Sequence, residues 1–271
     1  MESLDPSETV HTIAADLDRD GVAEILSGSE QPAAVGLWRP DGAKLAHCAD
    51  TGNDRWAWTA LAVGNLDADD DGEFVAAGDG FVAICDADGT TLKEVDVGTQ
   101  QPALIGLAQL DADAEVEILL SEDWALIALD DDLTVLWEYA LQNYNPAHPF
   151  SVADLDGDGL HEVLVHVNQS LHILTADGNL AEEVRVAPES GSSSWQSQPI
   201  VVDRDGDGCA EIVVADHNRI AAFEGAECFE VANADKPWSG LGRFAGERTE
   251  DGNISGPEPF WLEHNVWQGL P

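Results

Sequence analysis

The sequence predicts an all-β protein, a β-propeller built from four-stranded blades. An acidic motif occurs five times and recurs about every 47 residues, a spacing typical of propeller blades and other stacked units. A turn signal follows each motif at a nearly constant distance, and short runs rich in β-branched residues flank both. No segment shows a sustained helical period. Four strands per repeat describe a propeller blade, and the five recognisable repeats are compatible with a ring of about five to seven blades.

The five motif copies place alternating carboxylates before a closing glutamate. They read ADLDRDGVAEIL at 15–26, GNLDADDDGEFV at 64–75, AQLDADAEVEIL at 108–119, ADLDGDGLHEVL at 153–164 and VDRDGDGCAEIV at 202–213. The turns that follow them are Asp41-Gly42, Asp88-Gly89, Asp131-Asp132, Asp177-Gly178 and Glu224-Gly225. Within a blade, we expect the motif to join the first two strands and the turn to join the last two.

The full motif, D-x-D-x-D-G-x-x-E, has the pattern of a calcium-binding loop. Carboxylates at positions 1, 3 and 5, a main-chain carbonyl at position 7 and a glutamate at position 9 are the hard oxygen ligands that calcium prefers. Glycine at position 6 permits the sharp turn, and the clustered carboxylates would repel one another without a cation. An EF-hand is disfavoured because its position-12 glutamate is replaced here by Ser27, Val165 or Val214. Acidic turns without metal are the alternative.

The predicted calcium ligands follow from these positions. The full copies supply Asp16, Asp18, Asp20, Val22 and Glu24; Asp154, Asp156, Asp158, Leu160 and Glu162; and Asp203, Asp205, Asp207, Cys209 and Glu211. The second copy supplies Asn65, Asp67, Asp69, Asp71 and Glu73, and the third supplies Asp111, Asp113 and Glu117. The third copy departs furthest from the pattern, since it begins with Gln109 and has Ala114 where glycine is expected. We predict calcium at the three full copies and at up to five sites in all.

The motif, its strand context and its spacing resemble the FG-GAP/VCBS repeat family, the calcium-bearing blades of integrin α-subunit heads and of many secreted bacterial proteins. The resemblance covers Val10 to Val231. It implies a propeller with calcium loops on the outer rim of one face. We accordingly divide the chain into repeats at 1–235 and a closing segment or atypical last blade at 236–271, with Thr9 to Ala14 as a candidate strand for closing the ring.

Composition limits the partners. The 271 residues include 53 Asp and Glu against 11 Lys and Arg, for a net charge of −42. Such a surface repels phosphate, which argues against nucleic acid and anionic membranes as partners. No apolar stretch is long enough to span a membrane, and residues 1–10 lack the basic and apolar regions of an export signal. Acidity beyond the motifs also fits a surface adapted to high salt.

The cysteines Cys48, Cys85, Cys209 and Cys228 show no C-x-x-C spacing that would suggest zinc or redox chemistry. In an exported protein they could form two disulfides. We predict that Cys209 pairs with Cys228, because both lie in one blade. Buried free thiols are the alternative.

A search for catalytic residues finds no recognisable constellation. The eight histidines are scattered, and no nucleophile elbow or phosphate loop occurs, so we predict that the protein is not an enzyme. The segments joining successive blades carry Trp56, Trp58, Tyr144 and Trp195 beside polar residues, a mixture suited to stacking on sugar rings. Packing between blades is the other explanation for these aromatic residues.

These features predict a non-catalytic, calcium-binding propeller, extracellular or at the cell surface, that serves adhesion, binding or scaffolding. Its partners would be a protein or a glycan at the cell surface, or further copies of itself. Three alternatives are a sugar-binding lectin that uses the inter-blade aromatic residues, a subunit of an extracellular filament, and an accessory domain of a larger enzyme.

Overall fold

The chain is described from a computed structural model. The residues described are 9–30, 33–48, 60–66, 72–78, 80–97, 104–113, 115–122, 124–141, 148–167, 170–185, 197–202, 211–215, 220–224, 247–248 and 254–255. All regular secondary structure within these ranges is β-strand. The same ranges hold no helix of the length and apolar character needed to cross a membrane.

Four antiparallel sheets of four strands follow one another along the chain, each with its strands in chain order. The first contains β1 (Thr9–Ala15), β2 (Glu24–Glu30), β3 (Ala33–Trp38) and β4 (Lys44–Cys48). The second contains β5 (Ala60–Gly64), β6 (Glu73–Gly78), β7 (Phe81–Cys85) and β8 (Thr91–Asp96). The third contains β9 (Leu104–Ala108), β10 (Glu117–Ser121), β11 (Ala125–Leu129) and β12 (Val135–Ala140). The fourth contains β13 (Phe150–Ala153), β14 (Glu162–Val167), β15 (Ser170–Leu174) and β16 (Leu180–Arg185).

Two smaller sheets complete the described strands. A three-stranded sheet contains β17 (Ile200–Val202), β18 (Glu211–Ala215) and β19 (Ile220–Glu224), and β20 (Glu247–Arg248) pairs with β21 (Ile254–Ser255). The predicted all-β class and the four strands per repeat are confirmed for the first four repeats. The number of blades stays a prediction.

Strand β1 differs from the prediction. Thr9–Ala15 pairs with β2, with Ile13 opposite Leu26, and is therefore the first strand of the first sheet. The physical reason is proximity along the chain, because a strand directly before a motif loop closes a short connection with the strand after it. The assignment of Thr9 to Ala14 to ring closure is corrected accordingly.

The hydrophobic core lies between neighbouring sheets. Because successive side chains of a strand point to opposite faces, Phe74 of β6 packs with the first sheet and Val75 packs with the third. Ile118 and Leu119 of β10 divide in the same way between the second and fourth sheets. Stacking of consecutive sheets, face against face, is the arrangement of blades in a propeller.

Two glycines allow the first strands of neighbouring sheets to approach closely. A Cβ added at Gly64 of β5 would overlap Leu107 of β9. A Cβ added at Gly106 of β9 would lie 2.9 Å from Cε2 of Phe150 in β13. Each glycine thus leaves the space that a large side chain of the next sheet fills.

The predicted turns between the third and fourth strands are three-residue hairpin loops. The third loop residue has a left-handed backbone, with φ of 84° at Gly42, 86° at Gly89, 67° at Leu133 and 78° at Gly178. The sheet register shifts beside each loop, as expected for a hairpin that ends in a bulge. The turn predictions are confirmed in four repeats, and Gly225 of the fifth lies outside the described residues.

A disulfide joins Cys48 of β4 to Cys85 of β7, with Cα atoms 6.2 Å apart. Both cysteines lie in the core between the first and second sheets, so the bridge connects two blades. The alternative of free thiols is wrong for this pair. The predicted partners Cys209 and Cys228 lie outside the described residues.

Candidate metal centres in the motif loops

The motif loops join the first and second strands of each sheet and therefore lie at the same edge of successive sheets. The glutamate at position 9 is the first residue of the second strand in every repeat: Glu24, Glu73, Glu117, Glu162 and Glu211. All five are buried, with at most 8% of their surface exposed. A buried carboxylate must be hydrogen-bonded, neutralised or bound to a cation. Each of these glutamates therefore requires a hydrogen-bond donor, a proton or a cation beside it.

The position-9 glutamate anchors the start of its own loop. In four repeats its Oε2 accepts a hydrogen bond from the N–H of the leucine at position 2. The N–H to Oε2 distances are 3.0 Å at Leu17, 2.6 Å at Leu66 and 2.7 Å at Leu155, and Leu110 makes the same bond. These leucines are buried, so their N–H groups need a protein acceptor. Sequence reasoning treated the glutamate only as a metal ligand, although the leucine at position 2 in four copies is a signal of this second role.

In the first loop, Asp16, Asp18 and Glu24 bring carboxylate oxygens within 4.8 Å of one another. In the fourth loop, Asp154, Asp156 and Glu162 do the same. These are motif positions 1, 3 and 9, so three of the predicted ligand positions come together in both full copies that the structure describes.

The position-5 carboxylates are engaged within the loops. Asp20 Oδ1 accepts the N–H of Val22, and Asp158 Oδ1 accepts the N–H of Leu160, each at 2.8 Å. The glycine at position 6, which was predicted to permit the sharp turn, has a left-handed backbone, with φ of 88° at Gly21 and 93° at Gly159. Its N–H donates to the position-1 aspartate, at 3.0 Å in the first loop and 3.1 Å in the fourth. The loop backbone thus points N–H groups at the carboxylates and holds them in place.

Burial and, to a smaller extent, the charges of Asp156, Asp158 and Asp154 raise the pKa of Glu162 to about 7, although the hydrogen bond from the Leu155 N–H opposes them. Burial likewise raises the pKa of Glu117 to about 7, with contributions from Asp111 and Asp113. A pKa raised by burial and by like charges means that the ionised carboxylate is destabilised in its folded environment. A cation placed among these oxygens would reverse the effect.

The third loop has a different arrangement. Asp111 and Asp113 form a carboxylate triplet with Asp130, which precedes the hairpin between β11 and β12. Glu117 is fully buried, and its Oε1 makes no hydrogen bond. Sequence reasoning missed Asp130, because its approach depends on the motif loop and the hairpin sharing one edge of the sheet.

Several predicted site residues lie outside the described part of the chain. They are Asp67, Asp69 and Asp71 of the second loop, Asp203, Asp205, Asp207 and Cys209 of the fifth, and the aromatic residues Trp56, Trp58, Tyr144 and Trp195. Of the second and fifth loops, the structure describes Asn65, which is exposed, and the buried Glu73 and Glu211. These ligand assignments stay predictions.

Neighbouring motif loops are hydrogen-bonded to each other. Gly72 N–H of the second loop donates to the carbonyl of Leu17 in the first, at 2.8 Å. His161 N–H of the fourth loop donates to the carbonyl of Gln109 in the third, at 2.7 Å, and its Nδ1 accepts the Gln109 N–H at 2.8 Å. Ordering one loop therefore supports the next blade.

The outer strands also connect to the following blade. Lys93 Nζ of β8 donates to the carbonyl and carboxylate of Asp131, at 2.7 and 2.9 Å. Trp137 Nε1 of β12 donates to the carbonyl of Ala176 at 2.8 Å. With the disulfide between the first two sheets, the three junctions among the first four sheets are joined by three different kinds of contact.

Residues 154–214 match the FG-GAP-like repeat family. The match begins at the fourth motif and includes the fifth. The predicted family resemblance is confirmed by this stretch, and the chain is an all-β protein that carries FG-GAP-like repeat sequence. No curated protein shows significant sequence similarity to it.

Solved structures share the fold at low identity. The V. cholerae biofilm matrix protein Bap1 aligns with 90% of this chain and 67% of its own, with a TM-score of 0.62 and 13% identity. The exotype rhamnogalacturonan lyase YesX aligns with 84% of this chain and 50% of its own, with a TM-score of 0.57 and 16% identity. The Dos1 propeller aligns with 76% and 53%, with a TM-score of 0.51 and 10% identity. The chain spans about half the length of the lyases, and these likenesses confirm a propeller-like architecture.

The lyases correct one prediction. The absence of familiar catalytic motifs led us to predict that the protein is not an enzyme. That prediction is wrong, because it excluded enzymatic activity from a fold that enzymes also have: three rhamnogalacturonan lyases share the architecture, with TM-scores of 0.54 to 0.57. Catalytic groups set on propeller loops need not follow any short motif, so their absence from the sequence excludes no chemistry.

Proposed function

We propose that the protein is an extracellular propeller whose motif loops bind structural calcium and whose surface serves binding, adhesion or scaffolding. The carboxylate triplets of the first and fourth loops carry this proposal. In each of these two loops, the three side chains at motif positions 1, 3 and 9 bring oxygens within 4.8 Å of one another. A donor set made only of hard oxygens suits calcium better than zinc or copper.

Calcium bound there would neutralise the repulsion within each loop. Asp16, Asp18 and Glu24 would hold it in the first loop, and the corresponding residues would hold it in the fourth. Asp20 and the carbonyl of Val22 are the additional ligands that the motif predicts. Since the first loop is hydrogen-bonded to the second and the fourth to the third, filling the first or the fourth site would also stabilise the adjoining loop.

Two features support an extracellular location. Disulfides such as Cys48–Cys85 persist in oxidising compartments and are rare in the cytosol. The net charge of −42 favours solubility and suits a calcium-rich environment. The fold of a biofilm matrix protein is compatible with such a location. A protein or glycan at the cell surface, or further copies of the chain, remain the proposed partners.

The calcium proposal is tested by thermal unfolding in calcium, in EGTA, and in EGTA with high sodium chloride, alongside the number of ions bound. A ligand at 100 times its Kd stabilises by about 2.7 kcal/mol per site, which corresponds to roughly 5–10 °C for a chain of this size. We expect EGTA to lower the Tm by at least this amount and salt not to restore it. An unchanged Tm with no bound ion would mean that the carboxylates only make the surface acidic.

Matched variants locate the effect. Asp154→Asn with Asp156→Asn should remove one bound ion and most of the calcium response of the fourth loop. Asp41→Asn with Asp88→Asn, in two hairpins, should leave the number of bound ions unchanged.

The binding role is tested by applying the calcium-loaded protein to glycan arrays and to cell surfaces, with the EGTA-treated protein as control. Retention that is equal in both states would contradict a calcium-dependent binding surface.

A further inference from the structure

The third motif loop has a glutamine where the full copies have an aspartate. The two N–H donors of Gln109 Nε2 are shared among three main-chain carbonyls of its own loop, at 3.1 Å to Asp111, 3.0 Å to Asp113 and 3.1 Å to Glu115. Glu115 occupies motif position 7, whose carbonyl is a cation ligand in the full pattern. The amide group therefore uses an acceptor that a bound calcium would need.

We infer that the Gln109 amide replaces the cation in the third loop, so that this loop closes without calcium. An amide NH2 is a hydrogen-bond donor with no affinity for a cation. The hydrogen-bond direction at position 1 is also reversed relative to the full copies. Asp16 and Asp154 accept N–H groups of their loops, whereas Gln109 donates to carbonyls. The residues of the third loop thus do not fit the predicted calcium site.

The carboxylates of the third loop are grouped differently from those of the full copies. In the first and fourth loops, the position-9 glutamate belongs to the triplet, but in the third loop Asp130 of the neighbouring hairpin takes its place. Glu117 is fully buried and keeps its hydrogen bond to the Leu110 N–H. The position-9 glutamate is therefore not part of the carboxylate triplet that contains positions 3 and 5 of the third loop.

The backbone of Gln109 is hydrogen-bonded to the fourth loop, so the side chain of Gln109 also influences that loop. The residue is paired with His161 of the fourth loop through two hydrogen bonds, at 2.7 and 2.8 Å. A neutral amide that fixes the third loop therefore also fixes one side of the adjacent loop. We expect this junction to stay ordered when calcium is removed.

The test uses the full chain and compares Gln109→Ala with Gln109→Glu. The alanine variant loses both N–H donors of the amide, and the glutamate variant keeps the size but points acceptors at carbonyls. Both should lower the Tm by about 2–6 °C in EGTA, with an equal drop for the alanine variant in calcium. A Tm equal to wild type in EGTA for either variant would overturn the inference, because the amide donor would then have no role.

Calcium stoichiometry provides an independent measurement. The double variant Asp111→Asn and Asp113→Asn should bind as many ions as the wild type, and the loss of one ion would overturn the inference. The inference rests on the proposed function only through this comparison with the calcium loops. If the wild type binds no calcium at all, the proposed function fails, and the unfolding of the Gln109 variants in EGTA still decides the role of the amide.

Discussion

The motif loop and the hairpin lie at the same edge of each sheet and use aspartate in opposite ways. In the hairpins, hydrogen bonds from Thr90, Thr134 and Thr175 lower the pKa values of Asp88, Asp132 and Asp177 respectively. In the motif loops, burial raises the pKa of Glu117 and Glu162 to about 7. These three hairpin carboxylates are stabilised as anions by their own chain, whereas Glu117 and Glu162 are destabilised as anions and need an additional partner. The difference teaches that aspartate enrichment alone does not identify a cation site.

The same contrast explains why glycine recurs in both connections. The hairpins end in a left-handed residue whose N–H closes the turn. The Gly178 N–H donates to the backbone carbonyl of Thr175 and the Gly89 N–H to the backbone carbonyl of Asp86, both at 2.8 Å. The motif loops use their left-handed glycine to aim an N–H at a carboxylate. The hairpin glycines therefore donate to backbone carbonyls, and the loop glycines donate to the carboxylates of the candidate metal site.

The largest expected effect is at the position-9 glutamate. Glu162→Ala leaves the buried N–H of Leu155 without its acceptor and should lower the free energy of unfolding by about 3 kcal/mol. Asp177→Ala, in the exposed hairpin of the same sheet, should lower it much less. Chemical denaturation of both variants gives the comparison.

A conservative variant separates the two roles of this glutamate. Glu162→Gln keeps an oxygen that can accept the Leu155 N–H, so in EGTA it should retain most of the wild-type stability. In calcium, the same variant should gain less than the wild type, because one anionic ligand is lost. Equal losses for Glu162→Ala and Asp177→Ala would contradict the distinction between loop and hairpin.

A smaller effect is expected from glycine substitutions in the hairpins. Gly42 and Gly178 both have left-handed backbones, with φ of 84° and 78°. A Cβ at Gly42 meets nothing within 4 Å, whereas a Cβ at Gly178 would lie 2.5 Å from Cδ2 of Trp137. Gly42→Ala should therefore cost about 1 kcal/mol through backbone strain alone.

Gly178→Ala should cost about 2 kcal/mol, because Trp137 of the preceding blade must also move. Thermal unfolding should show both losses unchanged between calcium and EGTA, since neither hairpin belongs to a proposed metal site. Identical losses for the two variants would mean that the contact between Trp137 and the next hairpin adds nothing to stability.

What could be predicted from the sequence was local. The repeat spacing, the turns and the motif register each depend on neighbouring residues, and they located the strands of four sheets. What was missed depends on which edges meet in space. The carboxylates of Asp130 and Asp111 come together although they are 19 positions apart in the sequence. The disulfide between Cys48 and Cys85 links two different blades. The Gln109 amide was visible as a departure from the motif, but its role required knowing that the loop carbonyls point inward.

A further expected effect is the pH dependence of the calcium-free protein. Glu117 and Glu162 have folded pKa values of about 7 against an ordinary value of 4.5. Between these values the folded protein binds more protons than the unfolded chain, so stability falls as pH rises through this range. Burial lowers the pKa of His172, which contributes the opposite slope as pH falls through its ordinary value of 6.5.

Glu162→Gln isolates the carboxylate from this opposing contribution, because the histidine is common to both proteins. With calcium removed on a chelating resin, denaturation at pH 5 and pH 8 should show the wild type losing more stability than Glu162→Gln as the pH rises. Saturating calcium should abolish or reverse the difference, since a bound cation favours the ionised carboxylate. Equal pH slopes in the calcium-free proteins would mean that Glu162 is already ionised there at pH 5, and that the loop stabilises its own anions as the hairpin does.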